Sequence, residues 1–148
     1  MSHSEFIHQD PIAINGGFLR GVFGNVANLY EIDHDQPLGL DVPLQVEYLD
    51  SFRSSSILGE LEVLYLGLNH LLISNELNLQ QFNMALQEWT DEEFRHLLQE
   101  IRKGIFPVCQ PELDALLPLV TIVGGMSVSD WCDKELPKLR NSLPKLEP

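Results

Sequence analysis

Lysine is missing from the first 102 residues of this 148-residue chain. Residues 1–94 carry 15 Asp and Glu against only Arg20 and Arg53, a balance of −13, whereas residues 95–148 set seven acids against seven bases. Neutralising phosphate requires Lys and Arg, so the deficit excludes direct nucleic-acid binding by residues 1–94. It argues equally against an anionic membrane surface. The two cysteines, Cys109 and Cys132, are too few for a disulfide framework and lack zinc-ligand spacing, which points to a reduced pair. No apolar run approaches the roughly 18 residues of a membrane span. Residues 1–11 have neither the basic nor the apolar region of a signal peptide, so the chain reads as cytoplasmic. A Gly-x-Ser-x-Gly elbow, a phosphate-binding loop and a dinucleotide fingerprint are also missing. The glycine pairs at 16–17 and 124–125 substitute for none of them.

What the chain does have is leucine, 26 residues against 18 Val plus Ile, within a 44% hydrophobic composition. Leu keeps its rotamer freedom in a helix and β-branched residues do not, so the core vocabulary is helical. The expectation is a mainly α, single-domain bundle of about five to seven helices, large enough to bury an ordinary core. The alternative is an α+β fold with a small sheet from residues 40–49 and 120–128. Residues 1–16 read as a flexible lead, 17–142 as the helical domain and 143–148 as a C-terminal tail.

Along the domain, Phe18, Leu19, Val22, Phe23, Val26, Leu29 and Tyr30 share one helical face, with Gly21 and Gly24 offering a neighbouring helix a close approach. Residues 40–49 alternate like an edge strand, but Asp41 as cap and Pro43 in a first turn suit a helix slightly better. The longest helix spans Ile57 to Ser74, and Val63 and Leu66 fall outside its main apolar sector, which makes it the central element. Leu79 to Trp89 form the next helix. Thr90 and Glu93 then spell a capping box ahead of Phe94, Leu97, Leu98 and Ile101, with Arg102, Lys103 and a C′ Gly104 closing the helix. A short helix is expected over 112–117. A last helix, capped by Ser127 or Ser129, ends or kinks at Pro137. The repeated Leu-Pro-Lys-Leu at 136 and 143 suits extended chain.

The strongest functional signal is the unbalanced acid. Solvated helical faces normally interleave Glu with Lys, and here Glu31, Asp33, Asp35, Asp41, Glu60, Glu62 and Glu88 have scarcely a base among them. Asp91, Glu92 and Glu93 double as helix-start residues. Such a face would steer a basic protein onto itself with salt-sensitive on-rates. The expected function is a non-enzymatic protein-binding module, such as an inhibitor or immunity protein or a chaperone, needing no cofactor. One alternative is a metal-binding or enzymatic bundle, since Glu93 and His96 have the Glu-x-x-His spacing of carboxylate di-metal sites. Those sites need a second such motif and two further glutamates, and the Glu5–His8 copy falls in the lead. Another is a structural subunit that self-associates through Trp89, Trp131 or the apolar loop at 105–108. Against that, both tryptophans also suit a core, and Cys109 reads as a small buried residue.

Overall fold

A computed structural model describes residues 11–55, 60–74 and 89–146, with the side chains of residues 51 and 53–55 left out. Among the described residues the chain runs β1 (Ile12–Asn15), α1 (Gly16–His34), α2 (Val46–Ser55), α3 (Leu61–Ile73), α4 (Asp91–Ile105), α5 (Pro111–Asp114), a 3₁₀ turn at Leu117–Leu119, β2 (Val120–Val123), α6 (Val128–Lys134) and α7 (Leu136–Ser142). The mainly α expectation holds, with seven helices and a small sheet among the described residues. The sheet is not the one the sequence suggested. β1 and β2 pair in parallel, Ile12 against Val120 through Asn15 against Val123. Parallel strands need a crossover, and here that crossover is the whole helical bundle from α1 to the 3₁₀ turn.

The four residues of β1 belong to the segment expected to be a flexible lead. Strand pairing and the burial of Ile12, Ile14 and Asn15 fix them instead. Asn15 ends the strand and caps α1: its Oδ1 accepts from Phe18 N at 3.0 Å while its Nδ2 donates to the Met126 carbonyl at 2.9 Å. The run Asn15-Gly16-Gly17 is therefore a helix start. α1 stops where Asp35 enters the left-handed region at φ 57° and returns its N–H to the Glu31 carbonyl.

α3 is the central element, buried on nearly every side from Val63 to Leu71, as expected of a helix that is apolar all round. α1 approaches it at Gly67, where an added Cβ would stand 2.7 Å from a methyl of the fully buried Leu19. Gly21, expected to allow such an approach, faces open space.

α4 begins with the expected capping box. Thr90 Oγ1 accepts from Glu93 N at 3.1 Å, and Thr90 N donates to Glu93 Oε1 at 2.8 Å. Its far end differs from expectation: Gly104 is inside the helix, where a Cβ would collide with Leu49 of α2, and Phe106 is the C-cap.

Residues 40–45 are neither strand nor helix. α2 starts at Val46, five residues after Asp41, because Leu44 N is taken by Glu100 Oε1 at 3.0 Å and the Val42 carbonyl by His96 Nε2 at 2.7 Å, both from α4. The expected helix over 79–89 lies outside the described residues except for Trp89, which is fully buried, as is Trp131. Ser127 caps α6 by accepting from Asp130 N. α7 is a helix and not extended chain, since Pro137 sits in its first turn, where a missing N–H costs nothing. The tail is docked as far as it is described: Leu143 is buried and Leu146 N donates to Glu62 Oε2 at 3.1 Å.

Candidate protein-binding surface

The seven acids singled out by charge fall into different environments. Glu31, on α1, is 2% exposed and accepts from Trp89 Nε1 at 2.8 Å. Glu60 precedes α3, is fully buried and forms an ion pair with Arg140 of α7. Its Oε2 has no hydrogen-bond partner among the described residues. Glu62 is half-buried and holds the Leu146 N–H. Glu31 and Glu60 therefore do not belong to an outward face. Each is drawn inward by a partner far along the chain. Glu88 lies outside the described residues.

Asp33, Asp35 and Asp41 are exposed, and the fold gathers them around the end of α1 and the loop after it. Two acids that the charge argument passed over join them from α2, Glu47 and Asp50. The link between the helices is direct: Tyr48 Oη donates to Asp33 Oδ2 at 2.6 Å. Burial, that hydrogen bond and the charges of Asp33 and Glu47 together push the Tyr48 hydroxyl well above the ordinary tyrosine range, so it stays a donor. Beneath it, the Tyr30 and His34 rings stack at 4.0 Å, and His34 Nδ1 lies 3.0 Å from the Tyr30 carbonyl. With the Tyr48 ring 5.4 Å from that of Tyr30, this aromatic stack ties the acid-bearing end of α1 to α2.

The same segment exposes large apolar side chains. Ile32 is 58% exposed, Leu40 50%, Val42 42% and Val46 67%. Sequence reasoning missed them because it assigned apolar residues to the core. The available signal was that Ile32 lies off the α1 apolar face and that Val46 breaks the Leu44–Tyr48–Phe52 spacing. Between Arg20 and Arg53 there is no Lys or Arg. Residues 32–50 thus expose four large apolar side chains along the same stretch of chain as five carboxylates, and the stretch is held to α4 by the bonds to Glu100 and His96.

A cleft of about 550 Å³ opens beside it between α3, α4 and the loop to α5. Phe106 packs edge-on against Tyr65 with ring centres 5.4 Å apart. Tyr65 Oη donates to Asp114 Oδ1 at 2.6 Å, and burial first, then that bond, pushes its hydroxyl up to about 12. Cys109 is exposed, not buried as expected, because the loop carrying it lies outside α4. Its thiol donates to Asp114 Oδ2 at 3.2 Å, and this bond together with the Asp114 charge raises the thiol above its ordinary range. That is the opposite of nucleophile activation.

The Glu-x-x-His pair is spent on structure: Glu93 closes the capping box and His96 holds the Val42 carbonyl. Among the described residues no three His, Cys, Asp or Glu side chains converge on a common point. No helix among them is long and apolar enough to cross a membrane. Comparison with models of known families, with curated proteins and with solved structures finds no match.

Proposed function

We propose that the chain is a non-enzymatic protein-binding module that presents the ridge of residues 32–50 to a basic protein carrying apolar anchors. The observation that carries this reading is the interleaving of exposed Ile32, Leu40, Val42 and Val46 with Asp33, Asp35, Asp41, Glu47 and Asp50, with no base between Arg20 and Arg53. Contiguous exposed apolar groups rimmed by polar ones mark interaction surfaces. A rim of one charge sign selects the partner and speeds encounter, while the buried apolar anchors supply the affinity. A ridge-to-ridge dimer would oppose like charges, so the partner is a different, basic surface. An inhibitor or immunity protein for a basic toxin, or a chaperone for a basic client, meets this description.

The test is capture from lysate of the source cells at low salt, elution in a salt gradient, and identification of what elutes. The wild type is run beside a variant in which Asp33, Asp35 and Asp41 are changed to Asn. A basic protein retained by the wild type, released by salt and lost from the variant supports the reading. Equal retention by both chains, or retention indifferent to salt, contradicts it.

A further inference from the structure

The cleft between α3, α4 and the α4–α5 loop holds two carboxylates, and the protein itself occupies both oxygens of each. Asp114 accepts from Tyr65 Oη on one oxygen and from the Cys109 thiol on the other. Glu100 accepts from Leu44 N on one and from Lys103 Nζ on the other, at 3.0 and 2.9 Å. The cations differ. Lys103 is engaged by Glu100 and His96 by the Val42 carbonyl, while the Arg102 guanidinium has no hydrogen bond or ion pair among the described residues. Its five N–H donors form a planar fork suited to two oxygens of one anion. The adjoining wall is apolar, from Phe106, Pro107 and Val108. At about 550 Å³ the cleft falls in the size range of small-molecule sites.

We infer that this cleft binds a small organic anion, with Arg102 gripping its carboxylate or phosphate and Phe106 to Val108 covering its apolar body. A cationic ligand would have to share carboxylates that each already accept two hydrogen bonds, whereas the guanidinium fork is open. A neutral ligand can accept from the guanidinium but brings no charge to pair with it. The site lies in the charge-balanced half of the chain, and it stands or falls apart from the partner reading of residues 32–50.

Titrations of the full chain followed by amide NMR test this, with benzoate, phenyl phosphate and benzylamine as probes. Saturable shifts confined to the amides of Phe106, Val108, Cys109 and Gln110 are expected with at least one anion and not with the amine. Comparing the two anions tells carboxylate from phosphate. Arg102→Gln is expected to weaken binding by about tenfold or more, as loss of a charged hydrogen-bond pair does. Lys103→Gln removes the same charge without the fork and is expected to leave binding nearly unchanged. The inference is overturned if neither anion gives a saturable shift, if benzylamine binds as well as they do, or if the two variants lose affinity equally.

Discussion

The indole N–H of Trp89 donates to the buried carboxylate of Glu31 across 2.8 Å, joining the segment that leads into α4 to the last turn of α1. A carboxylate at 2% exposure persists only where donors reach it. This pair is therefore part of the framework beneath the exposed ridge and not part of the ridge itself. Glu31→Ala removes the carboxylate that accepts from the buried Trp89 N–H and should cost about 1–3 kcal/mol of stability. Urea unfolding with tryptophan fluorescence checks this, and Glu31→Gln, which keeps an acceptor, should cost less than Glu31→Ala.

Arg140 and Glu60 form the second buried link, between α7 and the start of α3. Arg140 is 43% exposed on its side chain while Glu60 is fully buried, so the cost of separating them falls on the glutamate. Arg140→Ala should destabilise the fold by about 3 kcal/mol, the lower end for an orphaned buried charge. Arg140→Ala with Glu60→Leu should recover much of that loss in thermal unfolding.

Glu100 connects stability to pH. Burial pushes its carboxyl up, but hydrogen bonds from Lys103 and Leu44 N, with the charges of Lys103 and His96, outweigh that and hold it below its ordinary value of 4.5. The folded chain thus binds this proton less readily than the unfolded one. Its contribution is complete above pH 4.5 and is lost as pH falls through the lower folded value. Glu100→Gln should be less stable than wild type at neutral pH, with the gap closing in acid. Denaturant midpoints measured across that range check the trend.

Gly67→Ala separates packing from propensity. Alanine is favoured over glycine in a helix by about 1 kcal/mol. The new methyl, however, would press on the end of Leu19, which is fully buried and can shift only against its own packing. Net destabilisation of about 1–3 kcal/mol is expected from overpacking. Leu19→Val in the same chain should relieve part of it, read as a coupling energy in a double-mutant cycle.

The parts legible in the sequence are those whose partners are near in the chain. The Thr90–Glu93 capping box is complete within four residues and appears as read. The α3 core face and the Ser127 cap are equally local. What escaped depends on distant partners. β1 and β2 are four residues each and pair Ile12 with Val120, far apart in the chain, so neither carries a signal strong enough to reveal the other. Glu31 and Glu60 were grouped with the exposed acids because charge counting does not register burial. The residues that draw them inward stand 58 and 80 positions away. Val46 and Ile32 were hidden for the converse reason, because an apolar residue reads as core until the fold shows which face it occupies.

The central claim is that residues 32–50 act as an acid-rimmed apolar docking ridge. The most direct measurement is amide NMR mapping of two synthetic peptides of equal charge, one of Lys and Leu and one of Lys and Gly. The claim predicts shifts centred on residues 32–50, larger for the leucine peptide, reduced by salt, and abolished when Ile32 and Val46 are changed to Ser. Shifts spread evenly over all exposed carboxylates, including Glu112, Asp130 and Asp133, with no preference for leucine, would contradict it.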